Sequence, residues 1–353
     1  MRTTHSRRTF LGASAAATLA PFALGADAKL DLAFFIVGDT HYLADKQNPK
    51  QLDATSAGTN ARLVDTLNKL PGTAIPAAAG GGTVAIPKGV IHDGDLIDSG
   101  DKTGGSFPQM HETEWQGFQA DFGLTGKDGR LKFPVYEVHG NHDSPPGDGL
   151  IVKKIAERNK TRPGVTGRSS NGLHYSWDWE SVHFVNLGIV VGAVKSVTRK
   201  RKYNPLDSLE FLAADLAASV GKSGRPVILT HHVDVLRYAT NPDKPTANPE
   251  WDPADVRAYY DAIKDYNVVA IFYGHTHARN IYQWDGSNKK AEKGVSVFNV
   301  DNSGHYSFKQ QAGYYVHLSG DTMTVREFAT ADRWETFDWT AEKWERKIPA
   351  TKG

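Results

Sequence analysis

The pattern of apolar runs and polar turns predicts a layered α/β fold containing a mixed sheet. Three observations carry that expectation. Short β-prone runs alternate with helically spaced stretches through the first two-thirds of the 353 residues. Antiparallel strand patterns gather near the end. Polar, reactive residue types sit just after apolar runs, where α/β sheets present ligands.

The first strand is read at residues 31–37, an apolar run that breaks at Gly38. A helix is expected over residues 60–70, with Leu63, Leu67 and Leu70 on one face and Pro71-Gly72 as its stop. Residues 76–87 and 100–105 read as Gly-rich loops. Short strands follow at residues 90–92 and 134–138, with a helix at 111–122 between them. Residues 173–179 and 183–187 read as an antiparallel pair turning at Glu180-Ser181. Asp207, followed by Glu210, predicts a capping box for a helix through Ala218. A strand at 226–229 runs into His231. Asp252-Pro253 caps a helix bearing Val256, Tyr260 and Ile263. A strand at 268–273 stops at Gly274, and strands at 295–300, 313–318 and 323–328 complete the body. There is no internal repeat or linker. Residues 29–330 are therefore taken as one domain, and residues 331–353, with Trp334, Trp339 and Trp344, as a tail packed on it.

The first 28 residues read as an address. Arg7-Arg8 precede Phe10-Leu11, a small-residue apolar stretch follows to Leu24, and Ala26-Asp27-Ala28 offers a cleavage site. This layout resembles a twin-arginine signal peptide, which implies passage of a folded protein through the twin-arginine export machinery to the periplasm or the medium. The apolar stretch is under the ~18 residues that a spanning helix needs, so no transmembrane segment is expected. Residues 1–28 hold three of the 41 basic and one of the 40 acidic residues, which leaves a net charge of −1 on the remainder. Such a balance gives no electrostatic basis for nucleic acid as a partner and argues against a nuclease. The one dense basic run is Arg199-Lys200-Arg201-Lys202. It reads as a solvated loop, or as a surface for an anionic substrate or lipid. With no cysteine in the chain, disulfides, thiolate metal sites and lipoprotein anchoring are excluded.

Five short motifs lie at the ends of five apolar strands: Asp39-Thr40-His41, Gly94-Asp95-Leu96-Ile97-Asp98, Gly140-Asn141-His142-Asp143, His231-His232 and Gly274-His275-Thr276-His277. Asp and His two apart on an extended turn point the same way and reach one ion. A glycine before each acidic or amide donor permits a sharp turn and a close approach. Asp95 has two oxygens with which to bridge two ions. Seven candidate ligands follow, namely Asp39, His41, Asp95, Asn141, His231, His275 and His277. Hard and borderline donors without thiolate suit two divalent or trivalent ions such as Zn, Mn or Fe.

The ordered set resembles the calcineurin-like metallophosphoesterase superfamily, whose pattern is D-x-H, GD, GNH[DE], H and GHxH. The likeness runs from Asp39 to His277, and its GNHD form is most similar to the cyclic nucleotide phosphodiesterase and acid phosphatase branch. It implies two packed mixed sheets flanked by helices, an αββα sandwich. It also implies one metal held by Asp39, His41, Asp95 and His277, and a second held by Asp95, Asn141, His231 and His275. Of the adjacent histidines it points to His231 rather than His232. Purple acid phosphatases have tyrosine where this chain has Asp98, so a tyrosinate–iron site is not expected; Asp98 is instead read as a partner that fixes a ligand histidine. His139 stands where the family often has proline, and a backbone role is expected of it.

The expected function is hydrolysis of phosphate esters, with a metal-bridging hydroxide as nucleophile and His142 as general acid. Asp143 either orients His142 or caps the next helix. Both monoesters and diesters fit this ligand set. The candidate diesters are cyclic nucleotides, glycerophosphodiesters and phospholipid head groups. A non-catalytic binding module on the same scaffold is the rival from another class; the complete ligand set and His142 speak against it. Among the remaining histidines, His174, His183 and His317 read as structural, while His305 is a candidate for the pocket edge. Tyr42 either stacks on substrate or packs. His142→Ala is expected to lower kcat far more than metal content, and equal loss of both would remove its assigned role as acid.

Overall fold

The computed structural model describes residues 29–193, 201–238 and 250–349. Residues 1–28, read above as an export signal, and Arg199 and Lys200 lie outside them. β1 (Asp31–Val37) shows how the layers arise. Leu32, Phe34 and Ile36 point into one buried cluster, and Ala33, Phe35 and Val37 into another. A strand covered on both faces reads as one continuous apolar run, because neither face can be polar.

β1 pairs in parallel with β2 (Val90–His92), which pairs in parallel with β3 (Val135–Glu137). On its other side β1 runs antiparallel to β11 (Gln311–Ser319), followed by β12 (Thr322–Thr330) and β13 (Asp338–Lys347). The second sheet has seven strands. β4 (Val165–Arg168), β5 (Tyr175–Trp179) and β6 (Val182–Asn186) are antiparallel. From β6 the sheet continues in parallel through β7 (Val227–Thr230), β8 (Val268–Tyr273) and β10 (Val295–Asn299). β9 (Asn280–Trp284) closes the edge, antiparallel to β10.

Phe34 packs edge-on against Phe184 and Phe272 across the two sheets, at 5.4 and 6.2 Å between ring centres. Outside the first sheet lie α1 (Ala54–Lys69), α2 (Phe107–Phe122) and α3 (Leu150–Arg158). Outside the second lie α4 (Ser208–Asp215) and α5 (Pro253–Ile263). The layering is therefore αββα, with two mixed sheets, as the sequence implied.

Several local expectations are corrected. The stretch read as a tail contains β13, whose exposed and half-buried positions give little apolar signal; Trp339 and Trp344 sit opposite Phe328 and Val325. α3, β4 and β9 were not anticipated, since short or polar segments have no strong periodicity. Asp207 does not cap α4 with its side chain: it takes φ 63°, outside the extended region used by a helix N-cap. Asp252 does cap α5, accepting from the Ala254 N–H at 2.8 Å. The two described members of the basic run are paired, Arg201 with Asp255 and Lys202 with Glu250, each at 2.8 Å.

One buried ion pair fixes β3 against α3. Glu137 at the end of β3 accepts from Arg158 at 2.8 Å and from Arg162 at 2.6 Å. Burial pushes the Glu137 carboxyl up, but the two guanidiniums outweigh it and hold it down at about 2. Glu137→Ala strands the Arg162 charge and is expected to cost roughly 3–5 kcal/mol, measured as a lower denaturant midpoint. Because the folded value lies below the unfolded value of about 4.3, the stabilisation is complete above that pH. In the wild type it is lost as pH falls toward 2, and the variant should lack this component of acid sensitivity.

Candidate metal centre

The ends of β1, β2, β3, β7 and β8 converge, and an uncommon backbone brings their side chains together. Asp39 (φ 52°), His41 (42°), Asp95 (52°), His275 (72°) and His277 (50°) all lie in the left-handed region. That region is uncommon for non-glycine residues and tends to occur at functional sites. The expected extended turn is thus replaced by a tighter one. Glycines fill the positions where any side chain would collide with a donor. A Cβ on Gly140 would sit 2.2 Å from Asp95 Oδ1, and one on Gly274 would sit 2.3 Å from Asp39 Oδ2.

Three groups of donors result. Asp39, His41 and His277 form one, and Asp95, His232 and His275 another; the third, His41, Asp98 and His142, shares His41 with the first. Asp95 reaches the first two, its Oδ2 lying 3.5 Å from His41 Nε2 and 3.2 Å from His232 Nε2. Asn141 Oδ1 is 3.1 Å from His232 Nε2. His277 Nε2 is 3.3 Å from Asp39 Oδ1.

The imidazoles are aimed from behind. His41 donates from Nδ1 to Asp98 Oδ1 at 3.3 Å, and His232 donates from Nδ1 to the Asp93 carbonyl at 2.7 Å. Each thereby turns Nε2 toward the acidic oxygens. His41 Nε2 is buried and has no hydrogen-bond partner among the described residues, while His232 Nε2 faces two oxygens. A proton or a metal cation satisfies such a geometry. Rings held by a carboxylate or a carbonyl are also typical of metal-ligating histidines. The donor set therefore fits metal ions.

The electrostatics agree. Burial pulls His41 down, but the hydrogen bond to Asp98 and the nearby carboxylates of Asp39 and Asp95 push it up to about 10. Burial likewise opposes His232, which Asp95 lifts to about 9. Asp95 and Asp39 are held well below the usual carboxylate range by the histidines despite burial. Cation uptake must displace the imidazole protons, so metal affinity falls as pH falls.

Two predicted roles are corrected. His231 does not join the cluster. Its ring packs 5.5 Å from Trp251 and 5.6 Å from Tyr259, and neither ring nitrogen has a partner among the described residues; burial lowers it to about 3. The residue at the donors is His232. Asp143 does not orient His142 either. It accepts the N–H groups of Leu96, Ile97 and Gly140 at 3.0, 3.0 and 2.7 Å, tying the second and third motif loops together. His142 instead donates from Nδ1 to the Asp98 carbonyl at 2.9 Å.

The other expected positions are as follows. Asp98 fixes His41. Tyr42 packs, its hydroxyl donating to Asp121 at 2.9 Å. His139 is buried, and its ring nitrogens have no hydrogen-bond partner among the described residues. His305 edges the cluster, 4.3 Å from His41 and 5.0 Å from His277 between ring centres. Glu250 was not anticipated: it accepts from His275 Nε2 at 3.1 Å, and nothing in its local sequence marks it.

Compared with models of protein families, the chain matches the calcineurin-like phosphoesterase model over residues 32–279. Sandwich and donor cluster define the class, a metal-dependent hydrolase of phosphate esters. The chain belongs to the calcineurin-like phosphoesterase family. Among solved structures it is similar to a dimetal phosphatase from Danio rerio, with TM-score 0.52 and 15% identity over 90% of this chain and 99% of that one. PhoD gives TM-score 0.49 and 11% identity over 94% and 73% of the two chains. The calcineurin-like phosphoesterase YfkN from Bacillus subtilis gives 0.39 and 13% over 91% and 92%. At 15% identity, the likeness to the Danio rerio phosphatase is one of fold. No curated protein matches the chain.

The adjacent histidines give a sharp test. His232→Ala is expected to lose at least one metal equivalent by elemental analysis, whereas His231→Phe, which suits an aromatic pocket, should keep the full complement. The reverse pattern would restore the assignment made from sequence.

Proposed function

We propose that this chain is an exported binuclear hydrolase of small phosphate esters. The observation that carries the reading is the placement of Asp95 between two imidazole-bearing donor groups. Asp39, His41, Asp95 and His277 would hold one ion, and Asp95, Asn141, His232 and His275 the other. When bound, two cations would supply positive charge to the phosphoryl oxygens and acidify the attacking water.

The chain's own groups would then set the geometry. Asp98 holds the His41 ring with its carboxylate and the His142 ring with its carbonyl. A carbonyl only accepts, so His142 carries a proton on Nδ1, and its Nε2 bears one only in the imidazolium form. In that form Nε2–H would protonate the leaving oxygen as the ester bond to phosphorus breaks, making His142 the general acid. Its side chain is about one-third exposed (32%), which leaves it accessible to substrate. Export rests on the twin-arginine pattern in residues 1–28 and is checked by cell fractionation.

The test is hydrolysis of p-nitrophenyl phosphate beside bis-p-nitrophenyl phosphate by the metal-loaded protein. Asp95→Ala is expected to lower both rates by at least a hundredfold, and the ratio of the two in the wild type separates monoesterase from diesterase. Wild-type rates equal to those of the variant would overturn the reading in favour of a non-catalytic binding module.

A further inference from the structure

The parallel strand β10 also ends at the cluster, and the chain beyond it carries His305. This ring is held on several sides. It lies 4.3 Å from His41 and 5.0 Å from His277, and it stacks on Tyr306 at 4.7 Å with 23° between planes. Its Nδ1 accepts the Ser307 N–H at 3.1 Å. A backbone N–H there requires a lone pair on Nδ1, so the neutral ring carries its proton on Nε2. That Nε2–H meets no acceptor among the described residues.

Two consequences follow from this tautomer. Nε2 has no lone pair for a cation, so His305 is not an additional ligand although it touches two candidate ligand rings. It is also a donor that needs no added proton. His142 is its counterpart. Its ring lies 4.7 Å from His41, and its Nδ1–H is committed to the Asp98 carbonyl. His142 and His305, both against His41, are thus fixed in opposite tautomers.

We propose that His305 is a neutral hydrogen-bond donor to the phosphoryl oxygens of the substrate, separate in role from His142. The inference rests on the phosphoester-hydrolase reading of the same site. Hydrogen bonds to charged phosphoryl oxygens are strong, and they favour the transition state most when the donor is already in place.

The first measurement is the ring tautomer, by long-range nitrogen–proton correlation on the zinc-loaded full chain with labelled histidine. His305 should carry its proton on Nε2 and His142 on Nδ1, with signals assigned from His305→Gln and His142→Gln. Titration with inorganic phosphate should shift the His305 Nε2–H. The second measurement is kinetic. His305→Phe keeps an aromatic ring without a donor. It should lower kcat/KM for p-nitrophenyl phosphate about 10- to 100-fold, the size of a lost hydrogen bond to a charged group, at unchanged metal content. His305→Gln should recover much of that loss. A proton on Nδ1 of His305, a phenylalanine variant with wild-type kcat/KM or lost metal, or a glutamine variant as slow as phenylalanine would each overturn the proposal. Failure of the underlying reading appears separately, as an unmodified chain inactive on both esters; the tautomer and the phosphate titration still decide the role of His305 in that case.

Discussion

The constraint on which this structure depends is the burial of Asp39 and Asp95 side by side at the seam between the sheets. A carboxylate removed from water is costly unless opposing charge and hydrogen bonds compensate for it. Here the compensation comes from imidazoles on other strands, so each acidic residue dictates what must stand opposite. His41 and His232 face Asp95, His277 faces Asp39, and the N–H of His275 also donates to Asp39 at 2.9 Å. Positive φ at five of these residues and glycines where a methyl group would collide are the backbone terms of the same requirement. The arrangement is held elsewhere by Asp143, whose carboxylate gathers N–H groups from two loops, and by the Glu137 ion pair beneath β3.

Much of this was legible in the sequence. The apolar runs at β1, β7 and β8 are buried on both faces, so they stand out from their surroundings, and the polar residues after them mark the strand ends. β13 was not legible, because an edge strand whose positions alternate between exposed and half-buried resembles a tail. The Asp207 cap failed for a related reason. The residue types are right, but the incoming chain sets φ, and a four-residue pattern does not contain it.

The exchange of His231 for His232 has a simpler cause. Val227 and Leu229 face α5, whereas Ile228 faces the other sheet. Continuing that alternation places His231 on the helix side, with Trp251 and Tyr259, and turns His232 toward Asp95. The parity was present in the sequence; which parity meant the seam depended on knowing that α5 covers one face. Asp143 was misread because backbone amides, the groups it serves, are the same at every position and leave no trace in residue type. Glu250 has neither motif nor periodicity, and proximity in space alone brings it to His275.

The donors are divided between the two sheets. Asp39, His41, Asp95 and Asn141 follow strands of the six-stranded sheet, and His232, His275 and His277 follow strands of the seven-stranded one. Neither half alone presents a complete set for either of the two proposed ions. The proposed two-ion site would therefore be complete only when the two sheets are docked. Ions held in the seam would act as rivets across it. Bound there, they would add their binding free energy to the sheet–sheet contact.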